Sequence, residues 1–281
     1  MNLQIQSIRL YFKVISFFSS RYAAAIAFKL FQKVRIKSIR KREEDFYLNA
    51  KHFKVSSNKE DINCYELGPD NSDVVFLLHG WESNAGSLSK IAYKLEENNF
   101  RVISFDLPGH AKYKSNYTNL PECKRAFINV IDFIKPKKSF TVISHSFGSA
   151  VTTYTFSKSN YKLDKLIFLT SPNSILEIFN DFKKMIGISN KTFSYLLEEA
   201  DLLANEKIKD FNIDEKLKSF TFSKLLLIHD ENDKIIPFKN SESIVQKNPN
   251  KTELKKFKNI GHYKMLWNND VVDSILMFLS K

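Results

Sequence analysis

The feature that most constrains this chain is a series of short apolar runs, each ending in small or polar residues, with amphipathic helical patterns between them. "DVVFLLHG" (73–80) is a continuous apolar run, as expected of a strand buried on both faces of a parallel sheet. "FRVISFDLPGH" (100–110), "SFTVIS" (139–144), "DKLIFLTSP" (164–172) and "SKLLLIHD" (223–230) repeat the pattern. Between and after them, "SLSKIAYKLEENN", "CKRAFINVIDFIK", "GSAVTTYTFSK", "NSESIVQK" and "DVVDSILMFL" place apolar residues at helical spacing. "KHFKV" and "INCYEL" read as a hairpin of outer strands, and "TELKKFK" as a last strand. Alternating strand and helix predicts an α/β fold, a mainly parallel central sheet with helices on both faces. Ligands of such sheets bind beyond the carboxyl ends of the strands.

Two segments fall outside the alternation. Residues 173–223 hold two amphipathic helical patterns, "NSILEIFNDFKKMIGI" and "KTFSYLLEEADLLANEKIK". They lie between two core strands, so they are expected to form a small helical cap. The other is the N-terminus. Ile8, Phe12, Ile15, Phe18, Tyr22, Ile26, Leu30 and Val34 recur every three or four residues, so residues 1–42 read as helix, with Ser19 or Ser20 as a break and N-cap. "RKREED" (40–45) reads as a solvated charge run at the join. The expected organisation is an N-terminal basic amphipathic extension (1–50) and a domain (51–281) carrying the cap at about 173–223.

Charge sharpens the reading of that extension. The chain of 281 residues has a formal charge of +12, and ten Lys and Arg precede its first acidic residue, Glu43. Two functions suit residues 1–42. The basic residues can meet an anionic membrane surface, or the apolar stripe can pack on the body of the protein. Nucleic acid is not expected, since the aromatics sit at helical core spacing and no binding motif accompanies them. No run reaches 18 apolar residues, so no transmembrane helix is predicted. Cys64 and Cys123 form neither a disulfide framework nor a zinc spacing and read as buried thiols of a reducing, cytoplasmic compartment. No cofactor motif and no metal-ligand cluster is present. Oligomeric state is not encoded in any motif.

The chemistry-bearing residues stand at the ends of the strands. "LLHGW" (77–81) stops a strand at His79 and Gly80 and frees the N–H of Trp81. "SHSFG" (144–148) puts Ser146 between strand and helix, with Gly148 two residues on and Ser144 where a second small residue is needed. "HDENDKIIP" (229–237) carries Asp233 four residues before Pro237, and "NIGHYKML" (259–266) carries His262 after the last strand.

These motifs, with "DLPGH", resemble the α/β-hydrolase superfamily in order and placement, over about residues 60–281. The resemblance implies a serine hydrolase or esterase-like enzyme. Ser146 is then the nucleophile on its elbow, His262 the general base and acid, and Asp233 the residue that orients His262. It implies an oxyanion site from the N–H groups of Trp81 and Phe147, with His79, Gly80 and Gly148 as supporting loop residues. It implies a small-molecule or lipid-like ester or thioester with an apolar acyl group, and an acyl-enzyme. C–C bond hydrolysis or acyl transfer would use the same triad. A catalytically silent binding protein is the reading from another class, and Ser144 in place of the usual glycine is the departure that favours it. Asp230 is the rival acid, less well spaced from Pro237. His145, His110, His229, His52 and Asp106 are expected to be structural.

Overall fold

The computed structural model describes residues 3–281. By internal contacts the chain divides into two units, one of residues 1–33 and 174–212 and one of residues 34–173 and 213–281.

The larger unit contains one sheet of eight strands, β1 (Lys51–Val55), β2 (Ile62–Leu67), β3 (Val74–Leu78), β4 (Arg101–Phe105), β5 (Phe140–His145), β6 (Leu163–Leu169), β7 (Lys224–Asp230) and β8 (Thr252–Phe257). Their order is β1-β2-β4-β3-β5-β6-β7-β8. β1 and β2 form the antiparallel hairpin, β2 joins β4 antiparallel, and all later pairings are parallel. The central strands are mostly apolar and are buried at nearly every position, β3 and β5 along their whole length, because both faces are covered. On one face Val75 and Leu77 join a core with α4 (Ser89–Glu97) and α11 (Asn269–Leu279). On the other, Phe76 meets Phe127 of α5 (Leu120–Ile134), which in turn meets Phe156 of α6 (Phe147–Phe156). Pro121 near the start of α5 and Asn119, which accepts the N–H of Glu122, set that helix's first turn. The short helix α9 (Ile213–Lys216) precedes β7, and α10 (Lys239–Lys247) follows the β7 loop.

Residues 32–40 are not helical, although the apolar period runs on through Val34. Long-range bonds hold this stretch extended on the larger unit. The Val34 N–H donates to Asn116 O at 2.8 Å, Arg35 Nε pairs with Glu82 at 3.0 Å, and Lys37 Nζ donates to the carbonyls of Tyr113 and Ser115. The charge run that follows is helix α3 (Lys41–Asn49), and its Glu43 is fully buried rather than solvated. Glu43 accepts the Arg40 N–H at 2.8 Å, closing a capping box, and the Asn84 side-chain amide at 2.9 Å.

The smaller unit is helical. α1 (Leu3–Phe18) and α2 (Ser20–Phe31) are separated at Ser19, whose hydroxyl caps α2 by accepting the Tyr22 N–H. α7 (Ile175–Ile186) and α8 (Asn190–Ala204) complete it. α2 lies along α8 through buried Ala23, Ala24 and Ala27, small residues that permit close approach. Phe31 stacks on Phe179 at 4.2 Å, and Arg9 donates to the carbonyls of Lys184 and Met185 at the end of α7. The N-terminal helices therefore pack on the helices inserted between β6 and β7.

Candidate active site

Ser146 stands at the turn between β5 and α6 with φ +50° and ψ −116°, a conformation that L-residues rarely hold. The surrounding bonds impose it. The Ser146 N–H donates to Leu169 O at 2.9 Å, and the Ser149 N–H donates to Ser146 O at 2.9 Å. Gly148 makes the tight turn possible, because a Cβ there would lie 2.6 Å from Leu78 O and 2.8 Å from His79 O. Ser144 needs no such room. Its hydroxyl turns to Thr152 on α6 at 2.6 Å, and Thr152 also donates to Gly148 O. The departure from glycine at 144 is thus absorbed by a hydrogen bond behind the elbow.

Facing the elbow is the loop after β3. A Cβ on Gly80 would sit 2.8 Å from His145 Nδ1 and 3.3 Å from Ser146 Cβ, so only glycine lets this backbone approach. His79 is fully buried and braces the loop. Its Nε2 accepts the Leu107 N–H at 2.9 Å, which leaves the proton on Nδ1 to donate to Gly80 O at 2.7 Å. Burial holds its pKa well below that of a free imidazole. The Trp81 and Phe147 N–H groups have no acceptor among the described residues, and their rings meet edge-on at 5.1 Å.

The β7 and β8 loops bring the other two groups. His262 is buried, and its Nδ1 lies 2.8 Å from Asp233 Oδ2. With Nδ1–H donating to a carboxylate, the neutral ring presents a lone pair at Nε2. Asp233 Oδ1 accepts the N–H groups of Ile235 at 2.8 Å and Ile236 at 3.1 Å. Burial pushes the Asp233 pKa up, but the nearby His229 ring, the bond from His262 and these N–H groups outweigh it and hold the carboxyl below its ordinary value. The His145 ring, one residue before Ser146 in the chain, lies 4.8 Å from that of His262, and its Nε2 donates to His262 O at 3.1 Å. The Ser146 hydroxyl itself makes no hydrogen bond among the described residues.

Asp230 has a different part. Its Oδ1 accepts from the N–H groups of Asn232 at 2.8 Å and Asn259 at 3.1 Å, and its Oδ2 from that of Gly261 at 2.5 Å. It ties the His262 loop to the end of β7. Burial raises its pKa, yet these backbone bonds lower it further, and the net shift is downward. His229 is more than a strand residue. Ser241 and Ile236 O fix its ring, and its Nε2 lies 3.6 Å from Asp233 Oδ2. A signal for both was present: a buried strand ending in His-Asp must find donors and acceptors, and the loop "NIGH" supplies free N–H groups. Asp106 does fix a turn, accepting the Ala85 N–H at 2.9 Å, and His110 donates to Pro108 O. His52 lies on the exposed edge strand.

Sheet order, elbow and loop positions define an α/β-hydrolase. The chain belongs to the serine aminopeptidase S33 family, whose family model matches residues 69–219. It is similar to a human serine hydrolase-like protein, 26% identical over 128 residues, covering 44% of this chain and 62% of that protein. It is also similar to protein phosphatase methylesterase 1 of Candida glabrata, 26% identical over 190 residues, covering 59% of this chain and 44% of that protein. The chain thus spans less than two thirds of the length of these curated relatives. Among solved structures, an esterase from Exiguobacterium antarcticum superposes with a TM-score of 0.63 at 15% identity, covering 82% of this chain and all of that one.

Proposed function

We propose that the protein is a serine hydrolase that cleaves carboxylic esters or thioesters through an acyl-enzyme. The observation that carries this is the Asp233–His262 hydrogen bond at 2.8 Å beside a strained serine elbow. In this reading the Ser146 hydroxyl turns toward His262 Nε2, gives up its proton there and attacks the substrate carbonyl carbon. The oxyanion that forms is held by the Trp81 and Phe147 N–H groups. His262 then returns the proton to the leaving oxygen or sulfur, and water repeats the sequence on the acyl-serine. Asp233 fixes the ring's tautomer and offsets its transient positive charge.

The substrate class follows from what surrounds these atoms. Trp81 and Phe147 are half-buried, and Tyr263 packs its ring 4.9 Å from that of His262. This aromatic wall suits an apolar acyl group. An aminopeptidase would instead need a free carboxylate for the substrate's ammonium. The nearest in sequence to the oxyanion loop, Glu82, is already paired with Arg35 Nε and the Arg35 N–H, each at 3.0 Å.

The test is a series of p-nitrophenyl esters run beside aminoacyl p-nitroanilides. Turnover of esters, with kcat/KM rising from acetate to octanoate, is expected. Cleavage of the anilides alone would replace this reading with peptidase activity. Failure of folded protein to cleave either would replace it with a binding function.

A further inference from the structure

Helix α1 has two apolar faces. Ile5, Ile8, Phe12 and Ile15 turn inward, half-buried or buried, with Phe12 only 1% exposed. On the opposite side Leu3, Leu10, Val14 and Phe17 follow one another at helical spacing, continued by Phe18 and by Tyr22 at the start of α2. These residues are open to solvent: Phe17 is 85% exposed, Phe18 81% and Leu10 64%. Isolated exposed apolar residues are ordinary, but a contiguous stripe of this kind is a contact surface. The inner face accounts for the packing of α1 within its unit, and nothing in that packing accounts for the outer one.

The charges flanking the stripe select its partner. Neither α1 nor α2 contains an acidic residue, while Arg9, Lys13, Arg21 and Lys29 are all basic. Lys13 lies on α1 at the margin of the stripe and is exposed. An open groove of about 830 Å³ runs beside it, lined by Arg9, Lys13, Ser16, Phe17, Lys184 and Ser189. Cations and hydroxyls there meet an apolar rim, the pairing that a phospholipid head group and its acyl chains present. A second copy of the chain fits less well, because a self-paired face would bring the same cations together. The helix cannot span a bilayer, since no helix among the described residues is long and apolar enough.

We propose that the outer face of α1 docks the protein on the surface of an anionic bilayer. The helix lies parallel to the membrane, with Leu10, Val14, Phe17 and Phe18 entering the interface and Lys13 meeting lipid phosphates. The structure confines this surface to the first two helices. Arg35, Lys37, Arg40 and Arg42, although part of the same basic run, are engaged on the larger unit with Glu82, the Tyr113 carbonyl, Glu43 and the Trp267 ring respectively.

The experiment is flotation of the full chain with vesicles of phosphatidylcholine, alone or mixed with phosphatidylglycerol. It measures no catalysis, so its outcome is independent of the role of Ser146. Wild type should float with the mixed vesicles and not with the neutral ones. F17S/F18S should bind at least about tenfold less, and K13E should also weaken binding. Because these side chains are exposed, both variants should keep the wild-type melting curve. Equal flotation with both vesicle types, no flotation, or flotation unchanged in F17S/F18S overturns the proposal. So does a wild-type dimer that F17S/F18S converts to monomer without vesicle binding.

Discussion

His262 Nδ1 lies 2.8 Å from Asp233 Oδ2, and the same oxygen lies 3.6 Å from His229 Nε2. One carboxylate thus sits between two imidazoles, one in strand β7 and one in the loop after β8, while its other oxygen takes two backbone N–H groups. Such a carboxylate is fixed in position and stays ionised below the ordinary range.

Asp233→Asn keeps the shape but removes the charge and offers His262 the wrong hydrogen-bonding partner. In the proposed mechanism kcat should fall by about 10⁴ with KM little changed. Steady-state kinetics on a p-nitrophenyl ester, with circular dichroism to verify folding, measures this. A fall of less than tenfold would remove Asp233 from the triad.

Asp230→Ala should act differently. It orphans the N–H groups of Asn259 and Gly261, at a stability loss of about 2–3 kcal/mol, and loosens the His262 loop. Hydrogen exchange at Gly261 should quicken and kcat should drop, yet a fluorophosphonate should still label the protein, only more slowly. Unchanged exchange at Gly261 would show that Asp230 does not hold the loop.

The two small residues flanking Ser146 are unequal. Gly148→Ala forces a methyl against the Leu78 and His79 carbonyl oxygens and should destabilise by about 3 kcal/mol, with activity lost. Ser144→Gly removes one hydroxyl pair while Thr152 retains Gly148 O as acceptor, so about 1 kcal/mol is expected and activity should survive. Urea melts and ester turnover of both variants compare them.

Acid should destabilise the fold earlier than carboxylate titration alone would. Burial lowers the pKa of His79 well below its free value, of His110 to about 4 and of His145 to about 3, while it raises that of Asp106 to about 6. The three histidines have folded pKa values below their unfolded ones, so near pH 5 the unfolded chain takes up their protons and the folded chain does not. Asp106 works the other way, being protonated in the folded state and ionised in the unfolded one. Three protons less one leaves about two in favour of unfolding. Stability should therefore fall by about 3 kcal/mol per pH unit around pH 5. Urea unfolding at pH 7, 6 and 5 measures the slope, and a flat profile would show that these histidines are not held neutral.

What the sequence conveyed and what it did not follow from the range of each interaction. The core strands were legible because a strand covered on both faces must be apolar throughout, as in "VVFLL". Ser146 and Asp233 stood out because each follows a largely apolar strand with a short turn, and His262 because it follows the last strand in a short glycine-containing loop. Glu43 was misread because its burial depends on Asn84, forty-one residues away, and a local charge run resembles a solvated one. The helical period through residue 34 was equally misleading, since the Asn116 carbonyl and Glu82 hold residues 34 and 35 extended. On α1 the spacing identified a helix and one apolar stripe. That Phe12 turns inward while Phe17 and Phe18 turn out depends on α2 and α7, which pattern alone does not position.

Labelling with a fluorophosphonate, followed by peptide mapping, is the most direct measurement of whether this elbow holds an activated nucleophile. Wild type should carry one label, on the peptide containing Ser146, and folded Ser146→Ala should carry none. A label on another residue, equal labelling of Ser146→Ala, or no labelling of folded wild type would contradict it.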